Sequence, residues 1–276
     1  MKPSGLVGSP YKAVGAPWEI ERLAIPISPD SNRTRISDQY TKAGGQLGYT
    51  AVFALSPEHG IGYSVLVAGP GAGSDRWPLR AALGEAFVVA AEHAGYESAQ
   101  ATTAGFFLDK EDEGTNLTLT VRPDHPGITL ESIFIDGIDW RTNLTTIFQT
   151  ALPDEALANM SIPVYPTGLA SGAGDGDGQR LQYRAIPVIL PNVFPTTRAA
   201  AEGGMSLFDD VCNQPFSTTA FFNLQNGAAI DEFVLVFDGE GMLQSVEYPA
   251  AGARFTRGWG SAAAAIASLF GRLADD

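Results

Sequence analysis

The sequence holds a single cysteine, Cys212, and three histidines in 276 residues. One thiol builds neither an internal disulfide framework nor an all-cysteine zinc site, so it can pair only outside the chain. His59, His93 and His125 have no spacing that lets two share a metal; zinc hydrolysis is disfavoured, and no metal or other cofactor is expected. Positive charge is scarce: Lys and Arg number 17 against 31 Asp and Glu, a net charge of −14. Such a field repels phosphate backbones and anionic lipid, so neither nucleic acid nor membrane is an expected partner. No apolar run approaches the roughly 20 residues a spanning helix needs, and Met1–Gly5 leads into no hydrophobic stretch of signal-peptide type. The Gly-x-Ser-x-Gly elbow of α/β-hydrolases is missing, as is any Tyr-x-Asn.

What is present suits a folded protein. Hydrophobic residues make up 45% and charged residues 17%, enough for a sizeable core and a length suited to two domains. Asn32, Asn116, Asn143 and Asn159 each head a glycosylation sequon, which points to a secreted eukaryotic glycoprotein. Secretion without a leader in this sequence gives the expectation that Met1 is not the start of the functional polypeptide.

The first half reads as sheet and helix. Ser9–Pro17 is an extended lead-in, Trp18–Ile27 alternates as a strand, and Tyr49–Leu55 and Ile61–Ala68 form an antiparallel hairpin across the turn Ser56–Gly60. A glycine-rich loop then opens a helix in which Leu83, Phe87, Ala90 and Ala94 face the sheet and which Gly95 ends. From Ala101 the pattern becomes short β-type runs: Gly105–Phe107, Leu117–Val121, Ile128–Ile135, Leu144–Gln149, Leu181–Val188, Phe221–Gln225, Phe233–Phe237 and Leu243–Tyr248. These predict an antiparallel sandwich or barrel. Gly168–Gly178 reads as a flexible loop, and a terminal helix is expected after Ser261.

Several motifs imitate chemistry and fail in detail. Val65–Ser74 resembles a dinucleotide turn, yet Ser74 replaces the third glycine, Pro70 lacks an amide donor and Asp75 puts negative charge where phosphate would sit. Asp175–Gly178 lacks the closing ligand of a calcium loop, because Ile186 stands at the twelfth position. Ser9-Pro10-Tyr11-Lys12 fits Ser-x-x-Lys, but flanking Gly8, Gly15 and Pro17 deny it the helix that would bring lysine to serine. Tyr40-Thr41-Lys42-Ala43-Gly44-Gly45 is more informative: a lysine at the head of an exposed sheet-edge strand, followed by small residues, lets a carbonyl compound lie along the strand. An amide beyond the glycine can then face a developing oxyanion.

Taken together, Ala13–Ile20, Tyr40–Gly45, Gly48–Leu55 and Gly60–Gly69 resemble the last part of the catalytic domain of fungal secreted β-lactamase-like serine hydrolases, relatives of class C β-lactamases and penicillin-binding proteins. The resemblance covers residues 13–95; Ala104–Phe107 and the final hairpin extend it to the β-rich domain that follows in these proteins. It implies an α+β fold: a partial β-lactamase/transpeptidase-like antiparallel sheet with a packing helix in 1–100, then an antiparallel β sandwich or barrel domain in 101–276. It further implies that Lys42, Ala43 and Gly44 stand in place of Lys-Thr-Gly, that Lys42 and the Gly45 amide serve catalysis, and that Tyr40, Ala43 and Gly44 line the substrate. Ala43 lacks the hydroxyl that binds a carboxylate, which favours esterase- or peptidase-like acyl transfer over β-lactam hydrolysis. The family's Ser-x-x-Lys and Tyr-x-Asn motifs lie upstream of the matched segment. The chain alone is therefore expected to be inactive, taking a small acyl substrate only with a missing N-terminal half as partner. The alternative is a noncatalytic module whose β domain binds carbohydrate, peptide or a partner chain through Phe106, Phe107, Phe221, Phe222 and Trp259.

Overall fold

A computed structural model describes residues 3–123, 125, 127–144, 160–172, 178–189 and 224–258. They fall into two compact units, Met1–Ser98 with Pro123–Pro126, and Ala99–Arg122 with Gly127–Asp276.

In the first unit β1 (Gly5–Leu6), β2 (Lys12–Val14), β3 (Glu19–Pro26), β4 (Thr34–Gln46), β5 (Tyr49–Ser56) and β6 (Ile61–Ala68) form one six-stranded antiparallel sheet in chain order. Gly48, with φ 78°, and Gly60, with φ 66°, supply the left-handed backbone that two of the connections demand. Register puts Thr41, Ala54 and Tyr63 in one row and Ala43, Val52 and Val65 in the next, all on one face. The helix α1 (Ala72–Thr102) covers that face.

The docking stripe of α1 differs from the expected one. Phe87 lies at the rim of the contact, 46% exposed with its ring 5.9 Å from that of Tyr63, whereas Arg80, Gly84, Val88 and Glu92 recur at four-residue spacing and stand over the sheet. The cause is polarity beneath the helix: Gln39, Ser37, Thr41 and Arg35 alternate along β4 on the covered side, so helix charges answer strand charges. Arg80 pairs with Glu21 at 2.6 Å, and the Tyr63 hydroxyl donates to the Arg80 carbonyl at 3.2 Å. Nor does Gly95 end the helix. One interior glycine costs about 1 kcal/mol, less than regular helix on both sides of it provides.

The second unit begins with β7 (Gly105–Leu108), β8 (Asn116–Val121), β9 (Ile128–Ile135), β10 (Ile138–Asp139) and the single turn α2 (Arg141–Leu144). It continues with β11 (Met160–Ser161), β12 (Pro163–Gly172), β13 (Gln179–Ala185), β14 (Val188–Ile189), β15 (Leu224–Gln225), β16 (Ala228–Ala229), β17 (Glu232–Phe237), β18 (Leu243–Tyr248) and β19 (Ala253–Arg257). Nine strands share one sheet; β10 pairs only with β9, and an added β8–β9 pairing closes the other eight into a ring. The ring runs β7, β8, β9, β12, β13, β17, β18, β19 and back to β7, each pair antiparallel: an up-and-down barrel. Of the two architectures expected after Ala101, the barrel is the one formed.

Its inside is packed, as an eight-stranded barrel's should be. Phe107, Leu117, Ile133, Ala185, Leu243, Val246 and Phe255 are fully buried. Phe233 stacks on Tyr248 at 4.5 Å, Trp140 meets the same ring edge-on at 5.9 Å, and the Tyr248 hydroxyl donates to the Ile230 carbonyl at 2.8 Å. Burial, reinforced by the charge of Asp231, pushes the Tyr248 pKa far above the usual phenol value. Where β19 meets β7, the Arg257 guanidinium lies 4.9 Å over the Phe107 ring. It donates to the carbonyls of Leu243 at 2.6 Å, Ala104 at 3.1 Å and Thr102 at 2.8 Å, Thr102 being the last residue of α1. Gly105 makes room for it, since a Cβ there would fall 2.5 Å from Arg257 Nη1.

Other expectations need correction. The supposed flexible loop from Gly168 is partly strand, because β12 runs on to Gly172 past a register shift between Pro166 and Ala170. Leu144 closes a helical turn capped by Asp139, which accepts from the Arg141 amide at 2.9 Å, instead of opening a strand. Residues 145–149, Phe221, Phe222, Asp175, Cys212, Trp259 and the segment after Ser261 lie outside the described residues.

Two outcomes test this packing. Arg257→Leu is expected to lower the unfolding free energy by about 3 kcal/mol in urea titrations, three carbonyls losing a charged donor; an unchanged midpoint contradicts this role for Arg257. Gly84→Ala would set a Cβ 2.7 Å from Tyr63 Oη. It should destabilise by about 1–2 kcal/mol despite better helix propensity, and in a Tyr63→Phe background the loss should disappear.

Candidate functional site

The six residues singled out in the sequence fall on β4, and their setting differs from the exposed edge strand expected. Through Thr41 the strand is interior, paired with β3 from Glu19↔Thr41 to Pro26↔Thr34. From Lys42 to Gln46 it pairs with β5 alone, so its other edge is open in this stretch among the described residues. Gln46 and Tyr49 flank the two-residue turn Leu47-Gly48. A pair flanking such a turn exchanges both hydrogen bonds, and the alternation of an antiparallel ladder then turns the amides and carbonyls of Ala43 and Gly45 toward the open edge.

Lys42 follows Tyr40 on one face, opposite Phe53. Trp18 closes that side, its ring centroid 6.4 Å from Tyr40 and 6.3 Å from Phe53. The Lys42 ammonium is half exposed and donates to Glu19 Oε1 at 2.5 Å and to the Ala43 carbonyl at 3.2 Å. Gly44 accepts from Arg76 Nη1 at 2.9 Å through its carbonyl, which ties this end of β4 to the first turns of α1. A Cβ on Gly44 would meet nothing within 4 Å, whereas one on Gly45 would crowd Thr50 Cγ2 at 3.1 Å and the Tyr49 carbonyl at 3.3 Å. Gly44, Gly45, Tyr49 and Leu66 line a concavity of about 320 Å³. The structure thus brings together Tyr40, Lys42, Ala43, Gly44 and Gly45, with a cation, an open strand edge and an adjoining hollow.

Other sequence candidates settle differently. Ser9 sits in a turn, its Oγ accepting from the Tyr11 amide at 3.2 Å, so no helix carries Ser9 to Lys12. In the glycine loop before α1 the Asp75 carboxylate occupies the space beside Gly71, where a Cβ would lie 2.5 Å from Oδ2. Asn32 is exposed; Asn116, half-buried, opens β8 and donates to the Glu113 carbonyl at 3.3 Å; Asn143 is half-buried in α2; Asn159 lies outside the described residues. Phe107 belongs to the barrel core and not to a binding surface, and Phe106 is half-buried. No group of three or more His, Cys, Asp or Glu suited to a metal occurs among the described residues.

Sequence reasoning missed one cluster. Ser56 Oγ lies 2.7 Å from His59 Nδ1, and His59 Nε2 lies 2.8 Å from Glu92 Oε2. Arg35 donates to both Glu92 oxygens, at 2.7 and 2.5 Å, and to Glu58 Oε1 at 2.5 Å, while Ser37 donates to Glu58 Oε2 at 2.8 Å. Hydroxyl, imidazole and carboxylate stand in the order that activates a nucleophile. Ser56, however, is 2% exposed and ends β5, three residues beyond the Phe53 that faces Lys42. Ser56 lines none of the hollows described for this chain, and the network serves to bolt α1 onto the hairpin. Only the Ser56-Pro57-Glu58-His59 turn is local in sequence; Arg35 and Glu92 arrive through the fold. Burial works to raise the Glu92 pKa, but hydrogen bonds and charge from Arg35 and His59 prevail and hold it below the ordinary glutamate value of 4.5. Bonding to Glu92 in turn raises Arg35, against the burial that opposes it.

An antiparallel sheet with one long helix, followed by a closed up-and-down barrel, defines an α+β chain of two units. Residues 95–258, more than half of the chain, match the family described as "Beta-lactamase-like-like, C-terminal domain", and the chain belongs to that family. It is also similar to a "Beta-lactamase-like protein" of Arthroderma benhamiae, 25% identical over 259 residues that make up 90% of this chain and 42% of the relative. The chain thus spans less than half the length of that relative. No solved structure matches.

The Glu92 network has a pH signature. A carboxylate whose folded pKa is depressed contributes stability that is fully present above its unfolded value and is lost as pH falls through the folded one. Denaturant midpoints should therefore fall as pH drops below about 4.5. Glu92→Gln should lower stability near neutrality by about 2 kcal/mol and flatten that acid limb; an unaltered limb in the variant would refute the assignment.

Proposed function

We propose that this chain supplies the lysine-bearing strand wall of a β-lactamase-like serine hydrolase together with the barrel domain that follows it. The nucleophile and its base come from polypeptide beyond these residues. The observation that carries the reading is the open edge of β4 from Lys42 to Gln46 beside the hollow at Gly44 and Gly45. An acyl group laid along that edge would meet the Gly45 amide at its carbonyl oxygen, where a fixed donor stabilises the charge that develops during attack. Lys42, held by Glu19, keeps positive potential beside the reacting centre, and Tyr40, Ala43 and Gly44 line the path of the substrate. With alanine at position 43 no hydroxyl stands there to grip a carboxylate, so esters or amides suit the wall better than β-lactams.

Support for a complementary polypeptide comes from the face of the sheet away from α1. Ile36 is 48% exposed, Phe53 42% and Leu66 78%, all on that face, and β6 pairs with β5 alone. Exposed apolar surface with an open strand edge is what a covering domain removes. Secretion and glycosylation are part of the proposal, Asn32 being the exposed one among the described sequon asparagines.

Intact-mass analysis after treatment with a serine-directed fluorophosphonate is expected to show no adduct on the chain alone, and ester substrates should not turn over. A stoichiometric adduct at Ser9, Ser56 or any other serine overturns the reading. Transcript sequencing upstream of Met1 is expected to reveal an in-frame extension carrying Ser-x-x-Lys and Tyr-x-Asn.

A further inference from the structure

The barrel carries a cleft on its outer wall. Tyr165 on β12, Arg184 on β13 and Glu232 on β17 stand opposite one another in adjacent strands. With Leu169, Gln182 and Asp231 they border a space of about 350 Å³. The strand shift between Pro166 and Ala170 breaks the ladder along one side of it. Two of its walls are apolar and open to solvent: Tyr165 is 45% exposed and Leu169 64%.

At the bottom the polar groups are unevenly matched. Asp231 has no exposed surface, and its Oδ2 accepts from Arg184 Nε at 2.6 Å and pairs with Nη2 of the same guanidinium. Its other oxygen, Oδ1, is buried without a hydrogen-bond partner among the described residues. Glu232 Oε1 accepts from Gln182 Nε2 at 2.8 Å, so a neutral amide is the partner of the second carboxylate. Two carboxylates thus face one guanidinium. A buried acceptor left without a donor is unusual in a folded protein and marks a place where a donor belongs.

We propose that this cleft binds a ligand presenting a cationic nitrogen on an apolar body, an alkyl- or arylalkylammonium group. The ammonium donates to Asp231 Oδ1 and balances the surplus carboxylate of Glu232, and the Tyr165 ring face receives the cation and the carbons beside it. An anion of the same shape is repelled by both carboxylates, and an alcohol supplies the donor without the charge. The site belongs to the barrel and is independent of the strand wall at Lys42, so either assignment can fail alone.

Titration calorimetry on the purified chain with 2-phenylethylamine, 2-phenylethanol and phenylacetate separates these contributions, because the three probes share one apolar body. Saturable binding of the amine is expected, about tenfold weaker for the alcohol and absent for the acid. Tyr165→Ala and Glu232→Gln, both at positions outside the core, should each weaken the amine by about fivefold. Arg184→Met with Asp231→Asn removes the buried pair together and should abolish amine binding; circular dichroism confirms that the barrel persists. No saturable binding of the amine, equal affinity for all three probes, or amine binding indifferent to both Tyr165→Ala and Glu232→Gln would overturn the proposal.

Discussion

Closing a barrel requires its first and last strands to meet in register, and most of the second unit follows from that one junction. Only two residue pairs join β19 to β7, Thr256 with Leu108 and Arg257 with Phe107. So short a ladder cannot hold by backbone hydrogen bonds alone. Arg257 adds a side-chain clasp, its guanidinium stacked on Phe107 and bonded to the carbonyls of Leu243, Ala104 and Thr102. A charged group is tolerable at the end of an apolar barrel because each guanidinium nitrogen finds a carbonyl and the ring face receives the cation. Burial pulls the Arg257 pKa down only against a guanidinium value so high that the group stays charged. Gly105 is the necessary complement, since any side chain there would evict the guanidinium from its place.

The first unit solves a different problem. A sheet with a helix on one face ordinarily buries hydrocarbon between them, yet here the covered side of β4 carries Arg35, Ser37, Gln39 and Thr41. Each polar group then needs a partner close by. Arg35 finds Glu92 on α1, Ser37 donates to Glu58 in the neighbouring turn, Gln39 Oε1 accepts from the Tyr63 hydroxyl at 3.4 Å, and Thr41 donates to the Glu19 carbonyl at 3.0 Å. Such an interface specifies one register of helix on sheet, because a slip of one residue along α1 would move Arg80 and Glu92 off their partners together. Val52, Ala54 and Val65 complete the covered face, while Ile36, Phe53 and Leu66 stand exposed on the other. Apolar side chains left bare on a sheet face are a physical argument for a polypeptide that covers them.

Element type was largely legible where periodicity is local. Alternation in Tyr49–Leu55 and Ile61–Ala68, and the short runs from Gly105 onward, announce strands that the structure contains. Two hairpin turns went unread although their signal is strong: Asp136-Gly137 and Asn226-Gly227 have φ of 52° and 77°, and 52° and 79°, the left-handed pairs that Asp-Gly and Asn-Gly favour. Closure of the barrel was beyond reach, because β19 and β7 are separated by nearly the whole second unit and only their meeting distinguishes barrel from sandwich. The helix face was read one position off because hydrophobic spacing assumes an apolar floor: Phe87 reaches the sheet only at the Tyr63 ring, while Gly84 and Val88 stand at the buried contact. At the candidate site, the clustering of Tyr40 to Gly45 was visible in sequence, but the end of β3 pairing at Thr41, which opens the edge, is a property of the sheet.

The same distinction separates the two places where catalysis could be sought. Ser56, His59 and Glu92 have the hydrogen bonds of a nucleophilic relay, but the hydroxyl is shielded from solvent at the end of β5. Lys42 to Gln46 have the converse: an open backbone edge, a cation and a hollow, without a hydroxyl paired to a base. Reaction needs nucleophile, proton acceptor and oxyanion donors around one carbonyl carbon, within hydrogen-bond reach of one another. Moving Ser56 to Lys42 would require breaking the β5–β6 turn and the Arg35 network together, so the buried relay is no reserve for the exposed wall. Under the proposed function the attacking group approaches the wall from its open side, and the bare face around Phe53 and Leu66 borders that side.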